Sequence, residues 1–402
     1  MSILVINAGS SSVKFGLFRF DTLEPIARGL LDWAGQTGRA TVTLRPESGE
    51  PIRDEIDVSD YREGVVAALE ALRRSKLVDD DSSIRVVGHR LIHGGEAIRR
   101  PVRIDAAMKE TIAGNAHLAP LHIPAGLDAI RATESALPGV PQVGIFDTAF
   151  FGDIPPAAYI YPLPYEWYEK WRIRRYGFHG TSHAYCTARA TEMLGGNAND
   201  MRLVICHIGQ GSSATAVRGG TAVTNTMGFT PLEGLVMGTR SGTVDPGILL
   251  YVMREKGLSV DELDDVLHHK SGLLGISGLS SDFRQVEAAA ADGHQRAQLA
   301  LDVYDYRVKT TIGALTAALG GLDALVFTGG IGENSVRLRR EVCDGLQHLG
   351  LHLDQDRNAD CRPDADIATD ESAARVLVVH TRENLMIARE SRRLILETTR
   401  LS

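Results

Sequence analysis

Two duplicated α/β domains, each built on a mixed sheet and facing a cleft, are the fold this sequence predicts. The first observation is a repeat. Ile3-Leu-Val-Ile-Asn-Ala-Gly-Ser-Ser-Ser-Val-Lys14 returns near mid-chain as Leu203-Val-Ile-Cys-His-Ile-Gly-Gln-Gly-Ser-Ser213, each a β-branched run, a polar residue, a Gly/Ser loop and a second extended segment. The second is length: 402 residues exceed one ordinary core and predict two domains. The third is order, since in each half strands come first and helices then alternate with strands.

The elements follow in sequence. After the hairpin of residues 3–20, Arg39 to Leu44 and Ile52 to Val58 alternate as strands around a turn at Pro46 to Glu50. Ser59-Asp60 caps a helix with Val65, Val66, Leu69 and Leu72 on one face. Ile84 to Val87 and Gln142 to Phe146 read as buried strands, and 105–115 and 124–136 as helices. The Pro- and aromatic-rich stretch 149–167 interrupts this order and marks a domain crossing. In the second half, strands are expected near 203–218, at Ala324 to Phe327 and at Arg375 to Val379, with helices through 246–268 and 285–320 and a helical tail Leu385 to Thr398. The expected domains are 1–150, with the tail helix 385–398 packing back on it, and 151–384.

Composition narrows the function. A hydrophobic fraction of 44% with 23% charged residues is that of an ordinary globular protein. The formal net charge of -8 argues against a nucleic-acid or anionic membrane partner, and requires a local basic cluster to attract any anionic substrate. Cys186, Cys206, Cys343 and Cys361 have no C-x-x-C spacing and read as reduced thiols. The apolar run at the start meets Asn7 too early for a signal peptide, and no apolar stretch approaches the ~18 residues of a membrane span, so a cytoplasmic protein is expected.

Several stretches carry chemistry. The two Gly/Ser loops offer clustered N–H groups to an anion, a phosphate above all, although neither has the G-x-x-x-x-G-K-[ST] order. Gly88-His-Arg-Leu-Ile-His-Gly-Gly-Glu96 places Arg90 at a strand end, and a short strand that runs into Gly-Gly does not hold His89 and His93 together for zinc as a helix would. Asp147 lies at the C-terminal end of a strand, where open α/β sheets hold ligands. His122 and Tyr176-Gly-Phe-His179-Gly-Thr-Ser-His183 set single histidines among small or apolar residues. Met227 through Pro246 has too much glycine and proline for a helix and too many apolar residues for a solvated loop, so it must be a packed loop presenting Arg240. Gly329-Gly-Ile-Gly-Glu-Asn-Ser335 follows a strand and opens a helix, an arrangement that offers backbone donors to a nucleotide.

Over its whole length the chain resembles the acetate kinases. The resemblance rests on Val5 through Lys14, His89 through Glu96, Phe146-Asp-Thr-Ala-Phe150, Tyr176 through His183, Met227 through Pro246, Lys270-Ser-Gly-Leu-Leu-Gly-Ile-Ser-Gly278 and Thr328 through Asn334, in the family's order. It implies a homodimer of duplicated ribonuclease-H-like, actin-like domains. It further implies reversible, in-line phosphoryl transfer between ATP and acetate, giving ADP and acetyl phosphate, with Mg²⁺ and with Mn²⁺ as a substitute.

The resemblance also implies roles. Arg90 would bind the carboxylate, and Arg240 would clamp substrate and transferring phosphoryl group. His179 would hydrogen-bond the transition state with His122 in support, and Asp147 stands at the position described as catalytic acid or base. Because acetate is already ionised at pH 7, attack on phosphorus needs no base, so Asp147 is expected to orient an arginine or a metal-bound water. Asn7 and Glu383 would hold the metal, with Lys14 near the terminal phosphates. His207, Ile208, Gly209, Gln210 and Gly211 would form the second phosphate loop. Asp282, Phe283 and Arg284 would flank adenine and ribose, and Gly330, Ile331, Gly332, Glu333 and Asn334 the adenosine side. Ile92, Leu121, Phe178 and Pro231 would enclose the acetate methyl. The chain departs from the family at Gln210, usually Asn, at Ile123 and Gly126 after His122, and at Ile92, usually Val. A propionate kinase and a nucleotide-driven binding module are the alternatives, and the two arginines argue against the module.

Overall fold

Strands with apolar residues at every position need cover on both faces, and the first strand shows how this chain supplies it. The structure, a computed structural model, describes residues 1–8, 12–32, 39–58, 60–78 and 81–401. The chain divides into two units, Met1–Gly152 with Arg382–Ser402, and Asp153–Thr381. In the first unit β1 (Ser2–Ala8), β2 (Ser12–Arg19), β3 (Pro25–Asp32), β4 (Ala40–Pro46), β5 (Ile52–Ile56), β6 (Ile84–Leu91), β7 (Val102–Arg103) and β8 (Gln142–Phe146) form one sheet in the order β5-β4-β3-β2-β1-β6-β8-β7. Leu4 and Ile6 of β1 face a core shared with the helices Tyr61–Arg74 and Ile123–Ala136. Ile3 and Val5 point the other way and pack with Ile387 and Ala388 of the C-terminal helix Glu383–Leu401. That helix can lie close to β6 only because position 88 is glycine: a Cβ there would meet Ser391 Oγ at 2.3 Å and Ile387 Cγ2 at 2.8 Å.

Most expected elements form, and the differences have local causes. Asp60 caps its helix by accepting from Glu63 N–H at 2.9 Å, while Ser59 and the loop residues Gly9 to Ser11 lie outside the described residues. Strand β3 has no counterpart in the sequence reading. Its Gly29 weakens the apolar alternation, yet that glycine makes room for the Phe15 ring, whose Cζ lies 2.0 Å from where a Cβ would stand.

The second unit repeats the plan. β9 (Arg202–Ile208), β10 (Ser212–Arg218), β11 (Thr221–Asn225), β12 (Ala324–Thr328), β13 (Ala365–Asp366) and β14 (Arg375–Val378) are ordered β11-β10-β9-β12-β14-β13. In both sheets an antiparallel meander of three strands is followed by two strands parallel to its first and by an antiparallel edge. The duplication expected from the sequence is therefore one of topology as well as of motif, with β4 and β5 added in the first unit. The long helix Gln295–Leu319 buries Ala297, Leu301, Tyr304, Val308 and Ile312 at helical spacing against the sheet. The helical stretch expected over 246–268 is broken into Pro246–Lys256 and Val260–His269, because Gly257 adopts φ +72° and ends the first. Between β11 and Pro246 no helix or strand forms, while Met227, Leu235 and Met237 are fully buried: the packed loop that the composition demands. Among the described residues no helix is long and apolar enough to cross a membrane.

Candidate active site

The first unit gathers charge at one level of its sheet. In the register of the strands Asn7 of β1 faces Lys14 of β2 on one side and Arg90 of β6 on the other, so three polar side chains share a face in a row. Asp147 follows β8 directly and closes on Arg90 in a bidentate pair, with Nε–H donating to Oδ1 at 3.2 Å and Nη2–H to Oδ2 at 2.7 Å. Arg90 Nη1 lies 3.5 Å from Asn7 Oδ1 and 3.8 Å from Glu383 Oε2. Burial opposes the charge on Arg90, but Asp147 and Glu383 more than offset it and hold the guanidinium above its ordinary pKa. Asp147 thus grips the Nε/Nη2 edge of the fork and leaves the Nη1/Nη2 edge as parallel donors suited to a carboxylate. His122 precedes the helix Ile123–Ala136 and is exposed, Ile92 is half-buried and Leu121 is 74% exposed.

Two histidines flank Arg90 in strand and loop, and both are structural in their contacts. Gln142 gives its amide N–H to Val140 O, so its Oε1 accepts from His89 Nε2 at 2.6 Å, and His93 Nδ1 accepts from Gly95 N–H. Burial pulls each down to about 4. In the unfolded chain a histidine titrates near 6.5, so stability is complete above that pH and is lost as pH falls toward 4, on the order of 3 kcal/mol per fully buried group. His89→Gln should therefore show a shallower fall in urea midpoint than wild type between pH 6.5 and 4.5, by about one proton taken up on unfolding. Parallel curves contradict this.

The second unit carries a corresponding row of serine, histidine and threonine. Ser213 of β10, His207 of β9 and Thr328 of β12 are register partners, in the places that Lys14, Asn7 and Arg90 take in the first sheet. His179 sits before the helix Gly180–Leu194 in the left-handed region, φ +59°, a conformation costing a non-glycine residue roughly 1 kcal/mol. Its ring lies 4.5 Å from that of His207, and its Nδ1 is 2.9 Å from Ser213 Oγ. His207 Nδ1 is 2.8 Å from Ser182 Oγ, which also contacts Thr381 Oγ1.

Arg240 completes this group. A Cβ on Gly211 would lie 3.4 Å from His179 Nε2 and 3.6 Å from Arg240 Nη1, so the loop, the ring and the guanidinium border one small space. Arg240 Nη1–H donates to Pro231 O at 3.2 Å, and among the described residues no carboxylate pairs with it. Burial pulls its pKa below the ordinary value. A desolvated cation without an acid partner is stabilised by an anionic ligand. The carrying loop is fixed by Glu233, which takes Arg175 Nη2–H at 2.6 Å and the Tyr161 hydroxyl, while Arg175 also donates to the carbonyls of Asn225, Thr226 and Met227. Phe178 is buried and Pro231 half-buried.

Beside that space lies a cleft of about 670 Å³, lined by residues that include Gly209, Gln210, Asp282, Phe283, Arg284, Gly330, Ile331 and Asn334. The structure thus brings most of the expected nucleotide residues into one wall, with Ser335 at the end of the glycine-rich turn, and adds Glu287, which the sequence did not single out. Gly329 reaches φ +80° with its Cα against Ile208, where a Cβ would meet the carbonyl at 2.7 Å, so β12 and the second loop come together. Glu333 turns inward: its carboxylate accepts from Gly329 N–H and Thr381 N–H, both at 3.0 Å, and meets His380 Nδ1 at 2.6 Å. Its role in the structure is to lock the turn around the glycines. Ile208 and Gly332 are likewise buried behind the wall. Gln210 lays its amide over Gly238, where any Cβ would approach Nε2 to 2.8 Å.

Comparison with known proteins decides the family. The acetokinase family model matches residues 2–389. The chain belongs to the acetokinase family. Its curated acetokinase relatives include the acetate kinase of Natranaerobius thermophilus, 46% identical and covering 98% of this chain and 100% of that protein. The crystal structure of Porphyromonas gingivalis acetate kinase superposes with a TM-score of 0.94 at 42% identity, covering 98% of this chain and 99% of that one. A propionate kinase from Francisella tularensis superposes with a TM-score of 0.90 at 38% identity over the same shares. As a member of this family the chain is a phosphotransferase that uses ATP or ADP and a carboxyl acceptor. The duplicated sheets described above are the acetokinase architecture.

Proposed function

We propose that this chain catalyses reversible, Mg²⁺-dependent phosphoryl transfer from ATP to acetate by direct in-line displacement, giving ADP and acetyl phosphate. The observation that carries the proposal is Arg240, a desolvated cation with no acid partner among the described residues, set beside His179 and the glycines of the second loop. Acetate and the γ-phosphoryl group repel, by about 4 kcal/mol for two unit charges 4 Å apart at an effective dielectric of 20. Catalysis therefore begins with charge cancellation. In this reading residues 1–150 with the C-terminal helix receive acetate, and residues 151–384 hold the nucleotide.

Arg90, oriented by Asp147, offers its remaining edge to the acetate carboxylate. Arg240 and His179 donate to the equatorial oxygens of the phosphoryl group as charge spreads over them, with His122 in support. Lys14 and the loop His207 to Gly211 hold phosphates. The wall formed by Asp282 to Arg284 and Gly330 to Asn334 takes the nucleoside. Asn7 and Glu383 would hold Mg²⁺. Their hard oxygen donors fit it, and both stand at one place, Asn7 Oδ1 and Glu383 Oε2 lying 3.5 and 3.8 Å from the same Arg90 Nη1. When bound, Mg²⁺ neutralises phosphate charge.

Ile92, Leu121, Phe178 and Pro231 are assigned to the methyl group. Isoleucine at 92 adds one CH₂ to the usual valine, worth roughly 0.8 kcal/mol of contact, and so favours acetate over longer acids modestly. Trapping acyl phosphate with hydroxylamine over a series of short acids should give kcat/KM for acetate above that for propionate. An equal or greater value for propionate would instead make this a propionate kinase, and no acyl phosphate with any acid would leave a nucleotide-binding module. A homodimer is part of the reading, supported by exposed Ile248, Leu250 and Tyr251 on the helix Pro246–Lys256. Sedimentation of a monomer at micromolar concentration contradicts it. A cytoplasmic location is also part of it, supported by four cysteines without disulfides.

A further inference from the structure

Ser213 occupies a junction that the roles above leave unused. It is fully buried on β10, and its Oγ lies 2.9 Å from His179 Nδ1 and 2.8 Å from His183 Nε2. The two histidines are four residues apart at the start of the helix Gly180–Leu194, so one side of its first turn delivers both rings to the same hydroxyl. Those two ring nitrogens are the only hydrogen-bond neighbours of this hydroxyl among the described residues. A buried hydroxyl that donated to neither would waste its proton, so it gives the proton to one ring and accepts from the other.

Which ring receives the proton follows from what stands beyond His179. Its Nε2 and Arg240 Nη1 border the same space at Gly211, and an unpaired cation there calls for an anion. An anion needs donors, so Nε2 must carry a proton and Nδ1 must be bare. Burial holds His183 well below its ordinary pKa and therefore neutral, with a single N–H to place.

We propose that Ser213 and His183 are positioning residues for the phosphoryl transfer: His183 Nε2–H donates to Ser213 Oγ, and the Ser213 hydroxyl donates to His179 Nδ1. The imidazole of His179 is thereby fixed as the tautomer that presents Nε2–H, without a charge, to the phosphoryl oxygens. This inference rests on the function proposed above. It explains why a histidine held in the left-handed region is backed by a second, buried histidine through a hydroxyl.

The direct test is the tautomer itself. Long-range ¹H–¹⁵N spectra of the full chain labelled in its histidine rings, with Mg²⁺, ADP, acetate and nitrate as a planar phosphoryl mimic, should show His179 protonated at Nε2 only; His179→Gln identifies its signals. A proton on Nδ1 overturns the inference. In kinetics, Ser213→Ala should lower kcat about 10- to 100-fold with KM for ATP and acetate within about twofold. His183→Gln, which keeps an N–H donor, should retain more activity than His183→Leu. In a His179→Gln background Ser213→Ala should cost less than about twofold, since Ser213 acts through that ring. A loss as large as in wild type overturns the inference, because Ser213 would then act by another route. Formation of acyl phosphate by the wild type tests the underlying function separately, and the spectrum needs no Ser213 variant to fold.

Discussion

Arg240→Ala lowers kcat by about three orders of magnitude or more and leaves ADP affinity within about fivefold of wild type. The first part follows from removing an arginine placed to meet charge on the phosphoryl group as it develops, an interaction worth 10³–10⁵ in rate where an arginine serves this purpose. The second follows from geometry, since Arg240 is absent from the wall of the nucleotide cleft. Arg240→Lys should restore only a small part of the rate, because a point charge cannot reproduce a fork that donates to Pro231 O and to a ligand together. Steady-state kinetics with calorimetry of ADP binding reads both parts. A kcat within tenfold of wild type would remove Arg240 from the chemistry.

Asp147→Asn is expected to lower kcat/KM for acetate about 100-fold without changing the shape of the pH–rate profile. The carboxylate accepts two N–H bonds from Arg90 at 3.2 and 2.7 Å, and an amide would turn a donor toward one of them. The guanidinium then loses the orientation that keeps its free edge toward the substrate, and misplacement by about 1 Å costs on the order of 10² in rate. Because acetate is already ionised, no proton has to leave it. A limb of the wild-type profile that vanishes in the variant would show instead that Asp147 works as a base.

Residues were easier to read than pairings. Arg90 and Asp147 each stood out in the sequence by position at a strand end, but nothing local to either signalled that they hold each other across 57 residues. The same holds for Ser213. It is one of six consecutive buried residues of β10, and only the folded helix Gly180–Leu194 supplies the two rings that use its hydroxyl. Glu333 lay in a glycine-rich turn that suggested nucleotide contact, and nothing local to it signalled that its carboxylate meets Gly329, Thr381 and His380. Strand β3 escaped notice because Gly29 serves the Phe15 ring on a neighbouring strand, a packing reason that no periodicity encodes. The repeat was legible for the opposite reason. Strand, polar residue and small loop are contiguous, and the register then places Asn7 with Lys14 and Arg90, and His207 with Ser213 and Thr328.

Gln210 is where the two scales meet. One methylene longer than the asparagine that the family resemblance leads one to expect, it lies over Gly238, where a Cβ would approach its Nε2 at 2.8 Å and the Ser281 carbonyl at 2.9 Å. The absence of a side chain at 238 is what lets the longer amide fit.

Transfer of a phosphoryl group to acetate is what sets the proposed enzyme apart from a nucleotide-binding module. ³¹P NMR of the purified chain with ATP, acetate and Mg²⁺ reads it most directly. A growing acetyl phosphate signal matched by ADP, and reversed when ADP and acetyl phosphate are supplied instead, is the result expected. ADP and inorganic phosphate with no acyl phosphate, at any acetate concentration, would contradict it.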